Sequence, residues 1–240
     1  MMDIRVRSLL EDIEIRLKLS LNDRQRTQLV QYVEMLQEET NSQRLIGDAT
    51  TASLYYKHIY DSLYPLLLKQ LPEGEILDLG TGAGLPGIPL KICLPNRTIY
   101  LMDANRRRIN FLRKVTRELN LSGLNLLAGR AEDWGRDTAY RERFTVIVSR
   151  AVAPAVVLVE LTLPLSSVGG LVLFYKGPRG PAEFKEAAAA LQICGGVIED
   201  YWQYDLPTGE SRSIYMVIKN KPTPNDYPRR VGKPAKDPLR

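Results

Sequence analysis

Residues 75–87 read Glu-Ile-Leu-Asp-Leu-Gly-Thr-Gly-Ala-Gly-Leu-Pro-Gly, and no other stretch narrows the fold so far. An apolar run of strand length passes straight into a loop carrying Gly80, Gly82, Gly84 and Gly87. Glycines let the backbone turn sharply and come close to a ligand. A helix follows, and the turn between a first strand and its helix is where α/β sheets place such loops.

The rest of the chain supplies the alternation that a sheet of this kind needs. Strands are predicted at 97–103, 124–128, 144–149 and 170–175, with helices over 106–120, 154–166 and 184–194, the last closed by Gly195-Gly196. Alternating strands and helices imply a mostly parallel sheet covered on both faces. The final two strands, 197–204 and 213–219, are separated by 205–212, which is too short for a crossover helix, so they pair antiparallel. Seven strands ending in a hairpin is the class I S-adenosylmethionine-dependent methyltransferase layout, Rossmann-like but for its end; a dinucleotide-binding domain runs to six parallel strands.

Ahead of this core the pattern is helical. Helices are predicted over 3–19, from Asn22 or Asp23 as cap to Glu39, and from Ser53 to Leu71, stopped by Pro72, with a polar loop over 40–51. The chain therefore divides into an N-terminal helical region (1–72) packed on the core, the methyltransferase core (73–220) and a C-terminal tail (221–240). That tail holds six basic residues against two acidic ones and five prolines. Prolines at that density exclude helix and central strand. Two readings of the tail stand: an extended phosphate-binding arm or a solvated tail.

The glycine loop fits two templates by letter count. Gly80-x-Gly82-x-Gly84 is the S-adenosylmethionine form, and Gly82-x-Gly84-x-x-Gly87 the dinucleotide form. Register separates them. The first glycine after the strand is Gly80, and the dinucleotide count from it places Leu85 where a third glycine belongs. Asp103 ends the second strand, where a carboxylate accepts ribose hydroxyls. Ala104 and Asn105 line the adenine side, and Ala131 and Glu132 follow the third strand at the adenine amine. For Asp103 and Glu132 the competing reading is solvated acids at strand ends. After the fourth strand comes Ser149-Arg150-Ala151-Val152-Ala153-Pro154. Enzymes that methylate exocyclic amines carry an Asn/Asp-Pro-Pro-Tyr segment here, and this chain does not. A ring nitrogen such as guanine N7 has a lone pair and no proton to lose, so positioning is the main requirement. Arg150 is a fork suited to guanine O6 and N7, with a structural ion pair as the alternative. No residue is assigned a catalytic acid or base role.

Together DLGTGAGLPGIPLKI (78–92), LMDANRRRINFLRKV (101–115), GRAE (129–132), IVSRAVAP (147–154) and YKGP (175–178) resemble the glucose-inhibited division protein B family. HIYDSL (58–63) and TPNDYPRRVGKPAKDPL (223–239) are similar to that family too. The resemblance covers nearly the whole chain. It implies transfer of a methyl group from S-adenosylmethionine to N7 of one guanosine in small-subunit (16S) rRNA. By position it implies cofactor contacts at Gly80, Leu85, Asp103, Ala104, Asn105, Ala131, Glu132 and Arg150. The candidate RNA contacts are Lys176, Arg229 and Arg230. His58 lies one turn from Asp61 and Ser62 and is read as packing or RNA-contacting. Arg106, Arg107 and Arg108 are read either as a phosphate grip or as a solvated face. Residues 137–143 are read as a surface insertion.

Composition excludes several classes. The longest apolar stretch, 151–165, is broken by Pro154, Glu160 and Pro164, short of the roughly 18 to 20 residues that cross a bilayer. The charged N-terminus reads as no export signal. Two cysteines far apart imply neither a disulfide framework nor a metal site. A cytoplasmic monomer acting on rRNA or the 30S subunit, without metal or membrane, is expected. The alternatives are a non-catalytic ribosome- or RNA-binding factor on the same fold and, with less support, a nicotinamide-dependent oxidoreductase. A small-molecule methyltransferase would leave the basic tail unexplained.

Overall fold

A computed structural model describes residues 4–43, 45–68 and 71–240, with the side chains of 41–43 excepted. The predicted helix positions 3, 69 and 70 and part of the predicted loop over 40–51 lie outside the described residues.

The centre is one seven-stranded sheet in the order β3-β2-β1-β4-β5-β7-β6. Its strands are β1 (Ile76–Leu79), β2 (Ile99–Asp103), β3 (Leu124–Ala128), β4 (Phe144–Arg150), β5 (Ser166–Lys176), β6 (Gly196–Asp205) and β7 (Ser211–Lys219). Neighbours from β3 to β5 pair parallel, while β7 runs antiparallel to both β5 and β6. All four residues of β1 are buried, as expected of a central strand with both faces covered.

One face carries the N-terminal helices α1 (Ile4–Leu17), α2 (Asp23–Gln43) and α3 (51–67), with α4 (Gly87–Cys93) and α5 (Arg106–Glu118). Leu10, Leu29, Leu36, Leu54 and Ile59 share one apolar cluster with Ile76, Leu101 and Leu173 of the sheet. At about 1.5–3 kcal/mol for each fully buried aliphatic side chain, that cluster fuses the N-terminal helices to the core. The other face carries α6 (Ala131–Trp134), α7 (Ala155–Thr162), α8 (Gly180–Glu186) and α9 (Ala188–Cys194). A second cluster packs Val156, Leu158 and Phe184 against Leu77, Ile147 and Phe174.

Local chemistry sets the ends of these helices. Asn22 accepts from the Gln25 backbone N–H at 2.9 Å while Gln25 reaches back to the Asn22 N–H at 3.0 Å, a reciprocal cap. Asn105 caps α5 through the Arg107 N–H at 2.9 Å. Gly195, at φ +87°, stops α9.

Several expectations are corrected. The helix predicted to run unbroken to Leu71 is a composite: a wide π stretch over Leu54–Tyr60, one α turn, then a 3-10 turn over Tyr64–Leu67 with Pro65 at its start. Leu68 is extended, so the helix ends before Pro72 is reached. The helix predicted over 184–194 is two helices meeting at Ala187, and α7 ends at Thr162. The tail does form a helix, α10 (Lys233–Lys236), because Pro234 sits in its first turn, where the missing N–H costs nothing. In the segment read as a surface insertion, residues 137–139 are exposed, while 140–143 are half-buried and tied to the body of the protein. Arg143 pairs with Glu75 at 2.6 Å, and Arg141 clasps the carbonyls of Thr223 and Tyr227 at 2.7 and 2.8 Å.

Candidate active site

The glycine loop is built by its own backbone. Gly80, Gly82 and Gly84 all have positive φ (+72°, +60° and +98°), which side chains rarely tolerate. The Gly80 and Thr81 N–H groups donate to the Met102 carbonyl at 2.9 and 3.0 Å, fastening the loop to β2. Asp78 is fully buried; its Oδ2 accepts from the Thr81 hydroxyl at 2.6 Å and the Gly87 N–H at 2.7 Å. Burial raises this carboxyl to about 7 against those two bonds, and among the described residues its buried Oδ1 has no hydrogen-bond partner. From α2, the buried Tyr32 hydroxyl donates to the Ala83 carbonyl at 2.9 Å.

Asp103 stands at the end of β2, 7% exposed. Its Oδ2 accepts from the Gly82 N–H at 2.9 Å and Arg108 Nη1 at 3.3 Å, and its Oδ1 from the Asn105 N–H at 2.8 Å. A Cβ added at Gly82 would meet nothing nearer than 3.9 Å. An open cradle therefore adjoins a fixed carboxylate edge, which fits an adenosine-bearing cofactor. Ala104 and Asn105 are exposed beside it, while Leu85 is buried beneath the loop.

The helix behind the loop excludes a pyrophosphate. Helix N-termini bind phosphates through free N–H groups. At α4 the Gly87 N–H is held by Asp78, those of Ile88 and Leu90 by the Gly84 and Pro86 carbonyls, and Pro89 has none. The donor set suits S-adenosylmethionine, which carries no phosphate, and not a dinucleotide.

Next to this shelf lies a cavity of about 660 Å³ between α3 and the ends of β4 and β5, lined by Lys57, His58, Asp61, Arg150, Tyr175 and Lys176 among others. Arg150 Nη1 donates to Asp61 Oδ2 at 2.8 Å, and the Tyr204 hydroxyl donates to Asp61 Oδ1 at 2.6 Å. The ion-pair reading of Arg150 is realised, and the pair forms part of the cavity wall. His58 is pushed down to about 4 by burial and by Arg150, so it is neutral at pH 7; among the described residues its Nδ1 has no hydrogen-bond partner. Ala151 turns the chain away at φ +57°, a conformation that costs an alanine roughly 1–2 kcal/mol. Strained backbone of this kind gathers at functional sites. Val152, next along, lines the cavity and also covers Gly80, so cavity and shelf share a wall.

The two groups of expected cofactor residues are thus Gly80, Leu85, Asp103, Ala104 and Asn105 around the shelf, and Arg150 in the adjoining cavity. Ala131 and Glu132 stand on α6, after β3, where the Gly129 N–H donates to the Asp103 carbonyl at 3.2 Å. Two expected RNA contacts are otherwise engaged. Lys176 is buried and gives its ammonium to the Ala153 carbonyl at 2.9 Å and Glu183 at 2.7 Å. Arg229 forks onto the fully buried Glu160 at 2.9 and 2.6 Å. Neither has a free cation to offer a phosphate, whereas Arg230 is exposed. Sequence reasoning missed Asp61, Tyr32 and Val152 as shapers of the site, and Arg179 and Arg212 on the cavity lining. The HIYDSL segment held a signal for Asp61 and the segment after β4 one for Val152; the others depend on which elements become neighbours.

The sheet order and the antiparallel β7 are those of class I S-adenosylmethionine-dependent methyltransferases. TrmN from Thermus thermophilus superposes with a TM-score of 0.53 at 20% identity, over 67% of this chain and 48% of that one. TYW2 of M. jannaschii, solved in complex with AdoMet, gives 0.52 at 12% identity, over 71% and 77%. Ribosomal RNA small subunit methyltransferase G of Streptococcus sanguinis (strain SK36) is 40% identical over 223 residues, 92% of this chain and 94% of that protein. The protein of the same name from Streptococcus pneumoniae serotype 19F (strain G54) matches equally well. Residues 25–207 match the sequence model of the GidB family, rRNA small subunit methyltransferase G. On that match, and on relatives 40% identical along 92% of its length, the chain belongs to the GidB family.

Proposed function

We propose that this protein methylates N7 of a specific guanosine in small-subunit (16S) rRNA, with S-adenosylmethionine as methyl donor. The observation that carries the reading is the shared wall: Val152 separates a phosphate-free adenosine shelf from a cavity lined by Arg150. When bound, the cofactor supplies an electrophilic methyl group. The chain's own residues bind and orient. Asp103 offers carboxylate acceptors to ribose hydroxyls, Gly82 lets the backbone approach, Gly80 makes room for Val152, and Glu132 faces the adenine side. Arg150, held in place by Asp61, presents its remaining N–H groups to the acceptor edge of a guanine, which an arginine fork matches. N7 carries no proton, so no general base is required, and His58, whose basicity burial lowers to about 4, is a weak base in any case. Excluding water and holding the base is a large share of such catalysis.

The RNA surface follows from charge. On α5, Arg106, Arg107, Arg113, Lys114 and Arg117 are all exposed, with Arg106 and Arg107 beside Asp103. Cations at a helix N-terminus oppose the dipole at roughly 0.3–1 kcal/mol each, and α5 has no acid in its first turn. That local disadvantage is expected where the cations serve an anionic partner. Arg130 and Arg230, both exposed, extend the surface. The division at 72 and 220, action as a cytoplasmic monomer on the 30S subunit or free rRNA, and independence of metal belong to the same proposal. Among the described residues no helix is long and apolar enough to cross a membrane.

The test is transfer of tritiated methyl from S-adenosylmethionine to small ribosomal subunits lacking the modification, followed by nucleoside analysis. A single 7-methylguanosine, lost in Asp103→Ala, is the expected result. Cofactor binding without transfer to subunits or to free rRNA would favour a non-catalytic ribosome-binding factor instead.

A further inference from the structure

We infer that the C-terminal strap, residues 221–240, is a wall of the cofactor site, and that the backbone N–H of Gly232 positions Glu132 for the adenine. The inference rests on Glu132 lying at the adenine, as proposed above.

Glu132 stands on α6, a helix of four residues whose N-cap makes no side-chain bond. One isolated turn does not hold its own orientation in water, so something outside α6 must fix this side chain. Among the described residues the only hydrogen bond to the Glu132 carboxylate is from the Gly232 N–H to Oε1, at 2.9 Å. Oε2 is left as an acceptor for a ligand, on a side chain 7% exposed.

Gly232 is itself held from two directions. Its φ of +79° suits glycine. On one side, Arg229 gives its backbone N–H, Nε and Nη2 to Glu160 at 2.8, 2.9 and 2.6 Å, and Nη2 also to the Asp237 carbonyl at 2.7 Å. Glu160, on α7, is fully buried. A buried carboxylate is tolerated only when so paired, so the strap completes the fold at this point and is not an appendage. On another side, Arg136 and Arg141, just beyond α6, hold the Pro228 carbonyl at 2.8 Å and the Tyr227 carbonyl at 2.8 Å. Pro228 packs on Gly135, where an added Cβ would approach within 2.9 Å. Strap and α6 therefore brace each other, and the brace ends on Glu132, the buried acid of α6.

Calorimetric titration with S-adenosylhomocysteine tests this in the full chain. Four proteins are compared: wild type, Glu132→Ala, Gly232→Pro and the double variant. Proline removes the donor and cannot adopt the required φ. Gly232→Pro should weaken binding about tenfold, the value of one net hydrogen bond, and also lower the Tm, because the ring forces φ away from +79°. In the Glu132→Ala background it should cause no further loss, since the two act as one unit. Gly232→Ala, which keeps the N–H, should recover most of the affinity. If Gly232→Pro fails to fold, the paired Glu160→Leu/Arg229→Leu variant frees the strap without stranding a charge. Equal losses in both backgrounds would mean general loosening and would overturn the inference. So would an unchanged affinity in Gly232→Pro or in Glu132→Ala. Methyl transfer to rRNA by the wild type would be unaffected by any of these outcomes, so the two proposals fail separately.

Discussion

Replacing Asp61 by alanine should destabilise the protein by about 3–5 kcal/mol, the cost of removing one partner from a buried ion pair. Asp61 is 2% exposed and the Arg150 side chain 13%, with 2.8 Å between them. A pair on the surface would contribute only about 0–1 kcal/mol; burial makes the difference here. Among the described residues, Asp61→Ala leaves the guanidinium with only the Lys57 carbonyl at 3.3 Å and deprives the buried Tyr204 hydroxyl of its acceptor. Against a total stability of about 5–15 kcal/mol, the loss is easily read by urea unfolding followed by circular dichroism, with the m-value held constant. Arg150→Met should cost a similar amount, because it strands the carboxylate. The double variant should lose much less than the sum, with a coupling of about 2 kcal/mol or more. Additive losses, or an Asp61→Ala cost below about 1 kcal/mol, would refute the view that a desolvated pair organises the cavity wall.

With Asp103 at the ribose as proposed, Asp103→Ala removes acceptors for two hydroxyls, at about 1.5–3 kcal/mol for each bond to a charged group. Calorimetry with S-adenosylhomocysteine should show at least a ~100-fold loss of affinity. The paired Arg106→Glu/Arg107→Glu variant should weaken rRNA binding and flatten its salt dependence by a slope of roughly 1.5–2, while cofactor affinity stays at the wild-type value. Asp78 sets a pH dependence. Its carboxyl is raised from 3.8 to about 7 by burial, so the fold favours the protonated form. That stability is fully present below about pH 4 and is lost as pH rises through about 7, an effect on the order of 4 kcal/mol. Urea unfolding of wild type and Asp78→Asn from pH 4.5 to 8 should show the wild type losing ground to the variant as pH rises; parallel curves would remove the carboxyl from the account.

The shelf was legible because its signals are local. The 75–87 segment states in consecutive residues that a buried strand enters a left-handed glycine turn, and Asp103 is placed by the strand it terminates. The hairpin at the end of the sheet was readable from the shortness of 205–212. None of this needs a distant residue, since backbone preference and hydrophobic period act within a turn or two. The composite α3 was not readable, because π and α turns place nearly the same residues on the buried side. The fates of the basic residues were not readable either. Lys176, Arg229 and Arg230 look alike in sequence, yet two are consumed by internal partners and one is left exposed. Tertiary structure alone decided that Arg150 meets an acid 89 positions away, that Arg229 meets one 69 away, and that Gly232 meets Glu132 across 100 positions. A side chain's charge declares what it can bind, but its partner is chosen by the packing of strands and helices that brings the two together and removes the water between them.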